Sequence, residues 1–281
     1  MNVGDDLLLG YEGGHASVTI EQNATVAVTS RTVVGGRNGG VSTLNISSGN
    51  ILTSETFAIA NENTKGHVDL TGAGTQLNIG RTSGVGDLVV GSSGLATLSV
   101  SDGANVDGAN VDVADAVKVG VYDGCNGAVT IDGGTVSANS AIVGDAYGAT
   151  GAVTVTGAGS RFDVAGSADV GHRGNGTLNI ASSGQVDVGG LRLGANSPGS
   201  GQLDISSGQL DISASSCKSA PQAPASLINR TVQSTSAVEC SSETCSAHPK
   251  EPSPKRVELL PPAQTQTPAI LIWRSGSSGP V

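Results

Sequence analysis

The sequence predicts an all-β fold, a right-handed parallel β-helix (β-solenoid) with three short strands in each coil of about 25 residues. Three observations predict it. A unit of that length recurs through residues 1–212. Its apolar residues alternate with period two and show no helical period. Every apolar run is cut by Gly, Ser, Asn or Asp. Composition agrees, because 42 glycines in 281 residues and only 2% aromatics suit tight turns and stacked aliphatics, not a core of large side chains.

The first strand of the unit follows a glycine and is marked by the pairs Val18/Ile20, Leu44/Ile46, Val68/Leu70, Leu98/Val100, Val129/Ile131, Val153/Val155, Leu178/Ile180 and Leu203/Ile205. Successive pairs are 26, 24, 30, 31, 24, 25 and 25 residues apart. The two long steps flank residues 94–126, where GANVD occurs twice in succession, so a small insertion beside the second strand accounts for part of the excess. The second strand is plainest at Phe162/Val164 and Val186/Val188, after a small-residue turn. The third closes on glycine: Leu7/Leu9/Gly10, Val33/Val34/Gly35, Ile59/Ala60, Leu88/Val90/Gly91, Val117/Val119/Gly120, Ile142/Val143/Gly144, Val170/Gly171 and Leu191/Leu193/Gly194. A third strand precedes any first strand, so the chain is expected to open within a coil. Stacked at about 4.8 Å, seven or eight coils give a rod on the order of 35 Å long.

Residues 213–281 contain nine of the ten prolines, three of the four cysteines and only two glycines. Nothing in them alternates for long, and the prolines block strand and helix alike, so this tail is expected to be disordered. The pattern stops halfway through a coil near Ile212, which favours a shift of reading frame over a proline-rich linker.

Residues 1–216 carry 8 basic against 20 acidic side chains, a net charge of −12, and the remainder 6 against 4. No basic stripe exists to release counterions from a phosphate backbone, which argues against nucleic acid as a partner. The start, MNVGDDLLLGYEGG, lacks the basic and apolar regions of a secretory signal, and no run of 18 apolar residues is present. Either the protein stays inside the cell or the true beginning lies upstream.

The phrases VTVTGAGSRFDVAGSADVG (153–171) and GTLNIASSGQVDVGGLRLG (176–194), with their alternation of GAGS-type and SSG-type turns, resemble the repeat family shared by type V secretion (T5SS) autotransporter passengers and PEP-CTERM-associated surface proteins. The similarity covers roughly residues 14–212. It implies a truncated passenger region of a bacterial autotransporter, displayed at the outer membrane or released from it, an adhesin whose partner is a host-surface or extracellular glycan or protein. Neither a signal peptide nor the alternating strands and aromatic girdles of a C-terminal membrane barrel are expected within these 281 residues.

No catalytic residue is singled out. Polysaccharide lyases and hydrolases also use parallel β-helices, but their sites need clustered carboxylates with Lys or Arg in a groove walled by longer loops and aromatic platforms. Here the turns are mostly minimal, and residues 1–212 hold only Tyr11, Phe57, Tyr122, Tyr147 and Phe162 as aromatics. The most suggestive feature is an acidic column on the outer side of the second strand, Asp163, Asp187 and Asp211, with Asn78 and either Asp107 or Asp112 at the equivalent place in earlier coils. Neighbouring carboxylates about 4.8 Å apart repel by roughly 1 kcal/mol even in water. The column is read first as a solvated face and second as a weak ladder of oxygen ligands for a divalent cation such as calcium; no other cofactor is expected.

A second outward column, Thr19, Asn45, Asp69, Ser99, Thr130, Thr154, Asn179 and Asp204, belongs to the first strand and is read as a structural side-chain ladder. Cys125, in the turn DGCNG, is expected to be an incidental thiol. Cys217, Cys240, Cys245 and His248 have a spacing loosely compatible with zinc, read as coincidence. His15, His67 and His172 are expected in turns. Open strand edges at the ends make end-to-end self-association an expected property.

Overall fold

The computed structural model describes residues 1–48, 50–53, 55–80, 86–101, 110–213, 218–219 and 225–229. These are all-β: parallel strands stack in about eight coils, a β-solenoid, and the sole helical element among them is a single 3-10 turn at Tyr11–Gly13. No helix among the described residues is long and apolar enough to cross a membrane.

Three limbs run the length of the stack. Limb one comprises Ala16–Ile20, Val41–Ser47, Lys65–Thr71, Leu95–Ser101, Asn126–Asp132, Thr150–Thr156, Asn175–Ala181, Ser200–Ser206 and Ala225–Asn229, each paired with the next as one nine-stranded parallel sheet. Limb two runs from Asn2–Val3 through Thr25–Val28, Asn50–Thr53, Gln76–Ile79, Asn110–Val113 and Thr135–Ala138. Limb three runs from Leu7–Leu9 through Thr32–Val34, Phe57–Ile59, Leu88–Val90, Ala116–Val119 and Ser140–Val143. Limbs two and three then fuse, because Arg161–Val170 and Gln185–Leu193 are single long strands that serve both, with a bulge between Val164 and Ser167. The three-strand coil expected from sequence therefore becomes a two-strand coil there. The intervening Ala165 and Gly166 are small enough for the chain to bend without leaving the sheet.

Register in limb one is the one the sequence spacing predicts. Val18 pairs with Leu44, Leu44 with Val68, Val68 with Leu98, and so on to Leu203, with the second apolar member following in step. The third limb differs by one residue in two coils. Counting in twos back from the closing glycine, the inward column is Leu7, Thr32, Phe57, Leu88, Val117, Ala141, Ala168 and Leu191, so Thr32 and Ala141 point inward while Val33 and Ile142 point outward. Runs of consecutive apolar residues hide the alternation there. Thr32 is fully buried, and its hydroxyl has no hydrogen-bond partner among the described residues.

The inward columns form one continuous aliphatic core in which Leu44, Ile46, Leu70, Leu77, Ile79, Phe57 and Phe162 are essentially inaccessible. Each buried side chain of this size contributes roughly 1.5–3 kcal/mol. The gain is spread along the axis instead of converging on a centre. The pattern continues past Ile212: Lys218–Ser219 pairs with the Arg192–Leu193 end of limb three, and Ala225–Asn229 pairs with Ser200–Ser206 of limb one. Lys218–Ser219 carries no apolar residue, and Ala225–Asn229 sets Leu227 beside Leu203 but Asn229 beside Ile205, so the apolar pair that marks the other coils is incomplete. The remainder of residues 213–281, including Cys217, Cys240, Cys245 and His248, lies outside the described residues. So do residues 102–109. The strand of that coil uses Asn110–Val113, so the second GANVD enters the sheet.

The glycine that opens limb one has a steric cause. At Gly127 a Cβ would sit well inside contact distance of the Val90 carbonyl oxygen, where the end of limb three crosses the start of limb one, and the same holds for Gly151 against Val119. Turns of the GAGS type are locked by their last residue. The Gly133 N–H of the preceding coil donates to Ser160 Oγ at 2.6 Å while Ser160 Oγ donates to the Thr156 carbonyl, and Thr75 does the same between Ser48 N–H and Thr71. One side chain thus ties a turn to the coil beneath it.

Replacing Gly127 by Ala introduces a methyl group against backbone, where no side-chain rotation relieves it. The expected loss is about 2–3 kcal/mol of unfolding free energy in urea titrations. Gly4→Ala, at a site with nothing within 4 Å of the added carbon, is expected to change stability by less than about 0.5 kcal/mol.

Candidate functional site: the acidic column and its neighbours

The outer side of limb two brings the predicted carboxylates into register. Asn78 pairs with Asp112, Asp112 with Ser137, Ser137 with Asp163, Asp163 with Asp187 and Asp187 with Asp211. Asp112 therefore takes the equivalent place in its coil; Asp107 lies outside the described residues.

The carboxylates are not left facing one another. Arg161 lies two residues before Asp163 on the same strand and the same face, and its Nε donates to Asp163 Oδ1 at 2.6 Å. Its Nη2 reaches Asp187 Oδ2 in the next coil, also at 2.6 Å. The hydrogen bond to Asp163 is the largest influence on the guanidinium. It outweighs burial and raises the pKa above the ordinary arginine value, with the charge of Asp163 and then that of Asp187 adding to it. Asp187 also accepts from Gln185 Nε2 at 3.0 Å, and Asp211 accepts from Gln209 Nε2 at 2.6 Å. The unit is thus Arg-x-Asp or Gln-x-Asp along a strand, a donor set beside each carboxylate by the two-residue period of the pleat. The Gln202–Asp204 pair on limb one repeats it at 2.7 Å.

This arrangement has a direct chemical consequence. Where a divalent cation would have to sit between Asp163 and Asp187, a guanidinium already sits. Among the described residues no group of three or more His, Cys, Asp or Glu side chains is placed to hold a metal ion.

Other polar contacts escaped the sequence reading. Asp169, on the outer side of limb three, is only 4% exposed and is gripped by Arg192 of the next coil, Nε to Oδ1 and Nη2 to Oδ2, both 2.5 Å. Lys118 Nζ donates to Asp87 at 2.5 Å across one coil, and Arg31 Nε to Asp6 at 2.7 Å. Burial is the largest influence on the Asp6 carboxyl and raises its pKa, but hydrogen bonds from Arg31 and Ser30 together leave it below the ordinary value. These pairs are 23, 31 and 25 residues apart, one coil each, so the coil length applied to charged residues is the signal that finds them.

His67 is not in a turn. It lies in the limb-one strand Lys65–Thr71 with its ring outward, 2.7 Å from Asp69 and against Thr97 of the next coil. Its three-residue distance from the turn made the boundary ambiguous in sequence. His172 lies in the turn after limb three, 2.8 Å from Asp145. Cys125 is a free thiol, 2% exposed, and burial pushes its pKa up, which holds it as the unreactive thiol. It fills a turn position where Thr64, Gly94 and Ala149 stand in neighbouring coils, as the chain of hydrogen bonds Leu95 N–H to Thr64, Asn126 N–H to Gly94 and Thr150 N–H to Cys125 places them.

No family model, curated protein or solved structure matches the chain. The reading of this face therefore stands on its own geometry.

The geometry makes a calcium prediction. Millimolar Ca²⁺ is expected to leave the thermal midpoint of the wild-type protein unchanged. Arg161→Gln is expected to lose about 0.5–1 kcal/mol and to recover part of it when Ca²⁺ is added, since the two carboxylates then lack a cation. Equal stabilisation of both proteins by Ca²⁺ would mean that Arg161 does not occupy the site.

Proposed function

We propose that the chain is a structural and adhesive rod, a segment of an autotransporter-like passenger that displays its outer faces at a cell surface and performs no catalysis. What carries this reading is the run of coils stacked in register among the described residues, with Asp163, Asp187 and Asp211 on the outer face already engaged by guanidinium or amide groups. The coils supply length and stiffness. Each new coil completes its hydrogen bonds on the one before, so a chain delivered from one end folds stepwise without waiting for distant partners. The resemblance of residues 153–171 and 176–194 to the passenger repeats supports the same role and suggests display at the outer membrane.

The test places the chain between a secretory signal and a membrane-barrel translocator in a Gram-negative host and measures antibody accessibility on intact cells together with adherence to a surface coated with extracellular matrix. Accessible, protease-resistant protein with adherence several times that of the barrel alone is the expected outcome. Accessible protein without adherence would oppose the adhesive role, and release of reducing or unsaturated ends from acidic polysaccharide by the purified chain would replace it with an enzymatic one.

A further inference from the structure

The exposed apolar side chains of the rod are not scattered. All three tyrosines of the chain, Tyr11, Tyr122 and Tyr147, lie in turns between limb three and limb one, and they are 46%, 59% and 71% exposed. Val41 and Leu95, 42% and 50% exposed, occupy the first position of limb one, immediately after the same turns and in one column with Lys65 between them. Apart from Met1 these five are the exposed large apolar residues among the described ones, and all five fall on one longitudinal margin. Beside them the outer face of limb one carries an open depression of about 380 Å³ lined by Val41, Lys65, His67, Leu95, Thr97 and Asn126.

Three properties define what this margin fits. Its polar side chains already have partners: Arg37 pairs with Glu62 at 3.4 Å, and the His67 and His172 rings lie 2.7 Å from Asp69 and 2.8 Å from Asp145. The net −12 of residues 1–216 repels a polyanion. The apolar groups stand in line along the axis, separated by coils. A stable protein interface instead needs a contiguous patch of roughly 800 Å² on each partner, with a dry centre. Between the apolar groups, hydroxyl and amide side chains recur at the strand spacing, Asn126, Thr150 and Asn175 in one column. Flat rings that offer an apolar face and a polar tip, set in a line with neutral hydrogen-bonding groups, complement a chain that is itself apolar on its ring faces and hydroxylated at its edges.

From this we infer that the margin from Tyr11 to Tyr147 binds an uncharged polysaccharide laid along the rod, with Tyr122 and Tyr147, in successive coils, as stacking platforms and the Val41–Leu95 depression as a seat for a further sugar. The inference rests on the adhesive reading above and gives it a ligand class and a face.

The test is native affinity electrophoresis of the full chain in gels containing hydroxyethyl cellulose, galactomannan or alginate. Retardation by at least one of the two neutral polymers, persisting at high salt, is expected. Tyr122→Ala/Tyr147→Ala is expected to weaken retardation about tenfold, with the thermal midpoint preserved because both rings stand in solvent. The Tyr122→Phe/Tyr147→Phe protein, which keeps the rings, is expected to retain most of the binding. Retardation by alginate alone, equal retardation of the double alanine protein, or none with either neutral polymer overturns the inference. If cells displaying the chain still adhere in that last case, the surface-rod role survives and the polysaccharide margin does not. Loss of both removes both.

Discussion

In-register parallel pairing between successive coils is the constraint from which the rest of this structure follows. Each residue hydrogen-bonds beside its own counterpart one coil away, so a position in the repeat becomes a column in space. An apolar position becomes a buried column, a glycine at the crossing of limbs three and one becomes a column of close approaches, and a charged position meets whatever charge stands one coil on. This is why Asp6 finds Arg31, Asp87 finds Lys118 and Asp169 finds Arg192, at separations equal to the local coil length. Stability of this kind is a sum of neighbour terms along an axis. A single faulty column position therefore weakens the coils on either side of it.

The same constraint decides how much was legible beforehand. Limb one was readable to the residue, since a period-two apolar pair after a glycine, repeated eight times, leaves one register that buries the pairs. The outward column from Thr19 to Asp204 came out in full for the same reason. Limb three was misread at Val33 and Ile142 because neighbouring residues there are all apolar and alternation carries no phase. Strands at 218–219 and 225–229 escaped notice because the first is two polar residues and the second keeps only half of the apolar pair, Leu227 pairing with Leu203 but Asn229 with Ile205.

The acidic column was located correctly but its chemistry was not visible. Asp163, Asp187 and Asp211 looked like neighbouring anions because the sequence was compared coil against coil. Their partners lie two residues earlier on their own strands, on the same face. Pairing within the strand and pairing across the coil together let Arg161 serve two carboxylates at once, which offsets part of the repulsion in the column. Part of the surface charge on this rod is paired in this way while residues 1–216 keep a net charge of −12, and the exposed large apolar and aromatic groups collect along one margin, in and just after the turns between limbs three and one. Chains of this design can vary their turns without disturbing the columns, because the turn tips make no contribution to the core.

The most direct measurement of the central claim is a pair of deletions. Removing residues 150–174, the span from Thr150 to Gly174 and one whole coil, brings Asn175 after Ala149 and offers Asn175–Ala181 to Asn126–Asp132 in unchanged register. Removing residues 150–161, half a coil, sets limb one against limb two. The account predicts that the whole-coil deletion keeps a β-sheet circular dichroism spectrum and cooperative urea unfolding, with an m-value reduced in proportion to the surface lost, and that the half-coil deletion does not. Equal folding of the two proteins would contradict it.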